Sequence, residues 1–177
     1  MQIGDRRKQM MNIRVLDEPD ARLYQDLRLK ALKLSPEAFG STYEREVQFS
    51  LETFVERIKP ADGKFVLGVF DDSGSLVGIV SFVRESGLKS IHKGNVYGMY
   101  VAPEASGHGL GKKLMLELVR RARSYEGLEQ INLTVMSENI IAKKLYKSLG
   151  FEIYGVERKA LKVNEQYFDE DLMVLYI

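Results

Sequence analysis

Cysteine is missing from the 177-residue chain, and histidine occurs only at His92 and His108. The first absence excludes a disulfide framework, a thiolate metal site and a cysteine nucleophile. The second leaves too little imidazole for a histidine-based metal cluster, so no metal is expected. Charge of one sign is also scarce, the formal net being +1. A general nucleic-acid binder carries a basic excess or stripe, so no nucleic-acid partner is expected. No apolar run approaches the ~20 residues of a membrane span, and the N-terminus lacks the apolar core of a signal peptide. No membrane contact is expected, and the cytoplasm is the default location. Internal repeats and low-complexity segments are absent as well.

What is present fits one ordinary globular domain, with 45% hydrophobic and 29% charged residues. A chain of this size buries roughly 70% of its unfolded surface. Residues 1–10 read as a polar leader, and the domain as residues 11–177. Asn12–Leu16 alternates like a strand. Asp17-Glu-Pro-Asp20 opens a helix that carries Leu23, Leu27, Ala31 and Leu34 at helical spacing and stops at Ser35-Pro36. A polar connection with Phe39 and Tyr43 follows, then a Ser50-capped helix to about Ile58. Phe65–Phe70 and Ser75–Val83 form a hairpin across Asp71-Asp-Ser-Gly74. Asn95–Val101 is the next strand. The remaining pattern is a helix Lys112–Tyr125, a strand Gln130–Met136, a helix Ile140–Ser148 ended by Gly150, and strands Phe151–Val156 and Tyr167–Ile177.

The turn Gly107-His-Gly-Leu-Gly111 stands between a strand and a helix. Glycines there let backbone approach a ligand, and the free N–H groups and dipole of a helix start suit a phosphate or pyrophosphate. Lys112 and Lys113 oppose that dipole, which makes sense with an anion in place. The spacing fits neither the P-loop nor the dinucleotide fingerprint. With Val101-Ala-Pro103 before it, the segment resembles the acyl-CoA-binding motif of the GNAT acetyltransferases. Ser106 stands where that family usually has Arg or Gln. A second stretch, Asn139-x-x-Ala142-x-x-Leu145-Tyr146-x-x-x-Gly150-Phe151, matches the family's pattern at every fixed position. The seven-residue step sets Asn139 and Tyr146 within about 20° of each other on a helix.

The resemblance implies an α+β fold: a single domain with a mostly antiparallel twisted sheet of roughly six to seven strands and about four flanking helices. It implies acetyl transfer from acetyl-CoA to an amine by direct attack in a ternary complex. Expected cofactor contacts are Met99, Tyr100 and Val101 on the strand, Ser106, Gly107, His108, Gly109, Leu110, Gly111 and Lys112 at the turn, and Asn139, Ala142 and Tyr146. Tyr146 matches the family's general acid toward the CoA thiolate, and Asn139 the residue that fixes the pantetheine arm. Phe39, Tyr43, Glu44 and Tyr97 are the candidate acceptor contacts.

The strand Asn95–Val101 contains no carboxylate, although many family members carry their general base there. Glu44, Glu46, Glu85 and Asp169 are candidates, with Tyr97 as a relay through water. The expected acceptor is a primary amine on a small or amino-acid-like molecule, with a protein or peptide amine as the alternative. A non-catalytic acyl-CoA-binding module is the reading from another class, and Tyr146 argues against it. A homodimer paired through the apolar final strand Leu172–Ile177 is also compatible with the sequence.

Overall fold

The computed structural model describes residues 11–177. The polar leader expected at 1–10 lies outside the described residues. Seven strands form one sheet: β1 (Asn12–Val15), β2 (Lys64–Phe70), β3 (Leu76–Arg84), β4 (Lys93–Val101), β5 (Gln130–Met136), β6 (Glu152–Val163) and β7 (Gln166–Tyr176). Their spatial order is β1-β2-β3-β4-β5-β7-β6. Every pairing is antiparallel except β4 with β5. The helices are α1 (Ala21–Leu34), α2 (Tyr43–Glu46), α3 (Leu51–Ile58), α4 (Leu110–Ala122) and α5 (Ile140–Ser148).

Strand alternation decides which helix covers which face. Phe65 and Phe82 point to the face where Tyr125, just past α4, stacks on Phe82 with ring centroids 5.8 Å apart. Ser81, Tyr97, Ile79 and Tyr100 point to the other face, where Phe39 of the α1–α2 connection meets Tyr100. Helix α4 buries Leu114, Met115, Leu118 and Ala122 on its side, and α1 buries Tyr24, Leu27, Ala31 and Leu32 on the other. No helix among the described residues is long and apolar enough to cross a membrane.

The expected architecture is borne out, with local corrections. The segment Tyr43–Glu46 forms a helical turn rather than a loop, because the Thr42 hydroxyl accepts the Arg45 N–H at 3.3 Å and caps it. Helix α4 begins at Leu110, two residues earlier than the pattern indicated, because Gly109 takes a left-handed φ of 69° and serves as its N-cap. Strand β6 runs to Val163, well beyond the expected Val156. Two register shifts and a positive φ of 53° at Lys159 break its alternation, which hid the strand's second half. Strand β7 is hydrogen-bonded on both sides, to β5 and β6. The final strand therefore has no free edge for pairing with a second copy; among the described residues the edge strands are β1 and β6.

Candidate active site

The site begins where two strands part. Strands β4 and β5 pair only from Lys93–Asn95 to Gln130–Asn132, yet both continue, to Val101 and Met136. Beyond Asn95 the β5-facing edge of β4 has no strand beside it, so its backbone N–H and C=O groups face a gap and are available to a ligand. A bulge accompanies the split. Ile79 pairs with Tyr100 and Ser81 with Tyr97, so β4 spends one extra residue there. Gly98 absorbs it with φ +60°, a conformation that costs an L residue strain. The gap opens into a cleft of about 1000 Å³, lined by Tyr97–Val101 on one side and Leu133–Met136 on the other.

At one end of the cleft lies the glycine turn. Gly107 and Gly109 have φ of +80° and +69°, and a Cβ on either would meet open space. Gly111 is different: a Cβ there would lie 3.0 Å from Met99 Cε and 3.3 Å from Leu145, so its bareness lets α4 sit close to β4 and α5. Lys113 N–H is the first to bond back, to Gly109 at 3.1 Å. From Gly107 to Lys112 no backbone N–H has a partner among the described residues. Six successive donors at the positive end of a 13-residue helix form an anion cradle. Ser106, Gly107, Gly109, Leu110, Gly111 and Lys112 line the cleft. The His108 ring turns away, its Nδ1 3.3 Å from the Ala105 carbonyl, so only its backbone belongs to the cradle.

Helix α5 supplies the third wall. Asn139 caps it, its Oδ1 accepting the Ala142 N–H at 3.1 Å, and the residue lines the cleft with its amide NH₂ unpartnered among the described residues. Lys143 ties α5 down through Asp171 of β7 at 2.6 Å, and Asp171 is 4% exposed. Tyr146 is buried against Phe151 yet lines the cleft, and its hydroxyl has no hydrogen-bond partner among the described residues. Burial pushes this phenol up to about 12, so it stays protonated at neutral pH.

The α1 face of the sheet forms the opposite end. Here Glu46 is 1% exposed and takes hydrogen bonds from two arginines. Arg28 donates from Nε at 3.1 Å and Nη2 at 2.9 Å, and Arg57 from Nη1 at 2.8 Å. Burial alone raises a carboxyl, but the bonds and charges of Arg28 and then Arg57 prevail and hold Glu46 down at about 2. Phe39 lies beneath the Arg28 guanidinium, 4.6 Å from ring centroid to Cζ. Tyr97 is half exposed on the same face. Asn95 pairs with Asn132 and Met136 with Glu170, so Thr134 and Glu170 also point to this face. Burial, then the facing Glu157 carboxylate of β6, raises Glu170, against a hydrogen bond from Thr134 that lowers it.

A family model described as an acetyltransferase (GNAT) domain matches residues 13–172. The chain belongs to the GNAT acetyltransferase family. Its fold agrees with that of a GNAT-family acetyltransferase from Streptococcus pneumoniae, at TM-score 0.84 and 23% identity over 95% of this chain and 100% of that one. A mycothiol acetyltransferase of Saccharomonospora viridis is 48% identical over 59 residues, 33% of this chain and 19% of that protein. The L-amino acid N-acetyltransferase of Escherichia coli is 33% identical over 73 residues, 41% of this chain and 45% of that protein. The chain thus aligns with less than half the length of either relative.

In this GNAT chain the cleft gathers Met99, Tyr100, Val101, Ser106, the turn glycines, Lys112, Asn139, Ala142 and Tyr146, together with Phe39 and Tyr97. Two acceptor candidates are corrected. Tyr43 sits over a separate hollow beside α1, under Lys33 at 4.1 Å, and Glu44 is exposed on α2 outside the cleft. Helix α2 rotates both away while turning Glu46 inward. Of the base candidates, Glu46 is locked between arginines and Asp169 is held by Arg158 at 2.7 Å. Glu85 accepts from Asn95 Nδ2 at 2.6 Å and does not line the cleft. Arg28, Arg57 and Glu170 went unremarked in the sequence. For Arg28 a signal existed: an arginine one position from Leu27, on the buried side of an amphipathic helix.

Proposed function

We propose that this chain catalyses transfer of the acetyl group of acetyl-CoA to the primary amine of a small, amino-acid-like molecule, by direct attack in a ternary complex. The observation that carries this reading is the run of six unpartnered N–H groups from Gly107 to Lys112, opening onto a split sheet across from a protonated Tyr146.

The N–H cradle and Lys112 take the pyrophosphate of the co-substrate. The pantetheine arm lies along the unpaired edge of β4, where Met99–Val101 offer strand-like hydrogen bonds, with the Asn139 amide on the far wall. Backbone N–H at the β4 bulge faces the thioester oxygen and stabilises the negative charge that develops on it. The acceptor enters from the α1 face. Its amine nitrogen bonds to the carbonyl carbon, the C–S bond breaks, and the electron pair leaves on sulfur. Tyr146 donates a proton or hydrogen bond to that sulfur, a role that its high pKa preserves. Glu170 accepts the amine proton, directly or through water; a carboxylate raised toward neutrality is the stronger base. No side-chain nucleophile is needed, which agrees with the lack of cysteine.

The relative named for L-amino acids supports the small-molecule acceptor. The test is a thiol-release assay with acetyl-CoA over amines, amino acids and peptides, with mass spectrometry of the product. Acetylated small amines are expected. Release of CoA without an acetylated amine, or transfer confined to peptides, would contradict the proposal.

A further inference from the structure

We infer that the acceptor is an α-amino acid, and that Arg28 reads its carboxylate. The inference rests on the N-acetyltransferase reading and narrows it to one substrate class and one specificity-determining side chain.

A guanidinium offers two forks to carboxylates. Glu46 occupies one fork of Arg28, through Nε and Nη2. Nη1 makes no hydrogen bond among the described residues, and Arg28 lines the cleft. Its position is defined: a Cβ built on Gly98 would lie 3.4 Å from Nη1, so the open end of the fork lies against the β4 bulge. The ring of Phe39 beneath and the Glu46 carboxylate at the side leave the guanidinium little freedom to turn. Net charge points the same way. Two arginines share one carboxylate, which leaves a single positive charge, and neither Glu37 nor Glu170 forms an ion pair with them. Arg28 is 9% exposed, and a buried positive charge facing a cleft favours an anionic ligand.

Position fixes where the anion must be. The bulge at Gly98 adjoins Met99–Val101, the backbone that the reacting carbonyl faces in the proposed mechanism. A carboxylate against Arg28 Nη1 is therefore close to the attacking nitrogen, as when one carbon separates them. With Glu170 on the same face to receive the amine, the cleft presents opposite charges to the two ends of a zwitterion. A carboxylate on a long side chain would lie far from this fork.

The test compares substrates on the unmodified protein at saturating acetyl-CoA. L-Methionine and L-phenylalanine are set against their carboxamides and their decarboxylated amines, with 4-aminobutyrate as a carboxylate remote from the amine. Loss of one hydrogen-bonded charge pair corresponds to roughly a 10- to 100-fold fall in kcat/KM, which the carboxamides and the decarboxylated amines are expected to show. 4-Aminobutyrate should be as poor. Arg28→Lys keeps the charge but loses the fork; it is expected to erase the selectivity chiefly through KM, with acetyl-CoA affinity unchanged. Acetylation of the carboxamides as fast as the acids overturns the assignment while leaving the transferase reading intact. Absence of acetyl transfer to every amine overturns both.

Discussion

Glu46→Gln is the perturbation whose size the structure sets most directly. The carboxylate is 1% exposed and satisfied by three guanidinium N–H groups. Its pKa falls from an ordinary 4.5 to about 2. At 1.36 kcal/mol per unit, that fall corresponds to about 3 kcal/mol of folding stability. The same order follows from breaking a buried ion pair, about 3–5 kcal/mol, because two arginines would lose their counter-charge. The sign is that of a depressed acid. The stabilisation is complete above the unfolded pKa and is lost as pH falls from about 4.5 through about 2. Urea denaturation at pH 7 should show Glu46→Gln weaker by about 3 kcal/mol, near 6–12 °C in Tm for a chain of this size. Repeated toward pH 2, the two curves should converge to within a few tenths of a kcal/mol, because the wild-type carboxyl is then about half protonated and most of its linked stabilisation is gone. A variant within about 0.5 kcal/mol of wild type at pH 7, or a gap independent of pH, would refute the claim that Glu46 is the ionised hub of this face.

Tyr146→Phe should lower kcat roughly 10- to 100-fold with little change in acetyl-CoA Kd, since the hydroxyl acts only as sulfur leaves. Because the phenol lies near 12, wild-type kcat should show no loss of its acid below about pH 10; an unchanged rate in the variant removes Tyr146 from the mechanism. Glu170→Gln should cost about 100-fold in kcat and abolish the acidic limb of the kcat/KM profile. That limb should lie above the ordinary carboxylate range in the wild type, because burial and Glu157 raise Glu170. Gly98→Ala places a Cβ at φ +60° beside Arg28, and should cost about 1–2 kcal/mol in thermal unfolding while raising acceptor KM.

The glycine-turn and α5 walls of the cleft were legible in the chain because their geometry is local. A glycine turn before a helix, and Asn139 and Tyr146 seven residues apart on the next helix, carry their geometry in their spacing. The α1 face of the cleft joins distant segments. Glu46 meets Arg28 across 18 positions, and its inward turn depends on a four-residue helix whose only sequence mark was Thr42. Glu170 reaches the cleft through the register of β7 on β5, which alternation alone does not set. The bulge at Gly98 was equally hidden, since a lone glycine in a strand pattern marks a bulge or a close approach without saying which. The sheet's make-up was readable from alternation and turns, whereas β6 lost its second half to two irregularities.

The most direct measurement of the central claim is a calorimetric titration of the protein with acetyl-CoA, alongside ATP and NAD. Selective micromolar binding of acetyl-CoA is the expected result, with the cradle from Gly107 to Lys112 working through backbone N–H groups despite Ser106 in place of Arg or Gln. Absent or unselective binding would contradict it: the cradle would then not hold this co-substrate, and the proposed transfer would lose its donor.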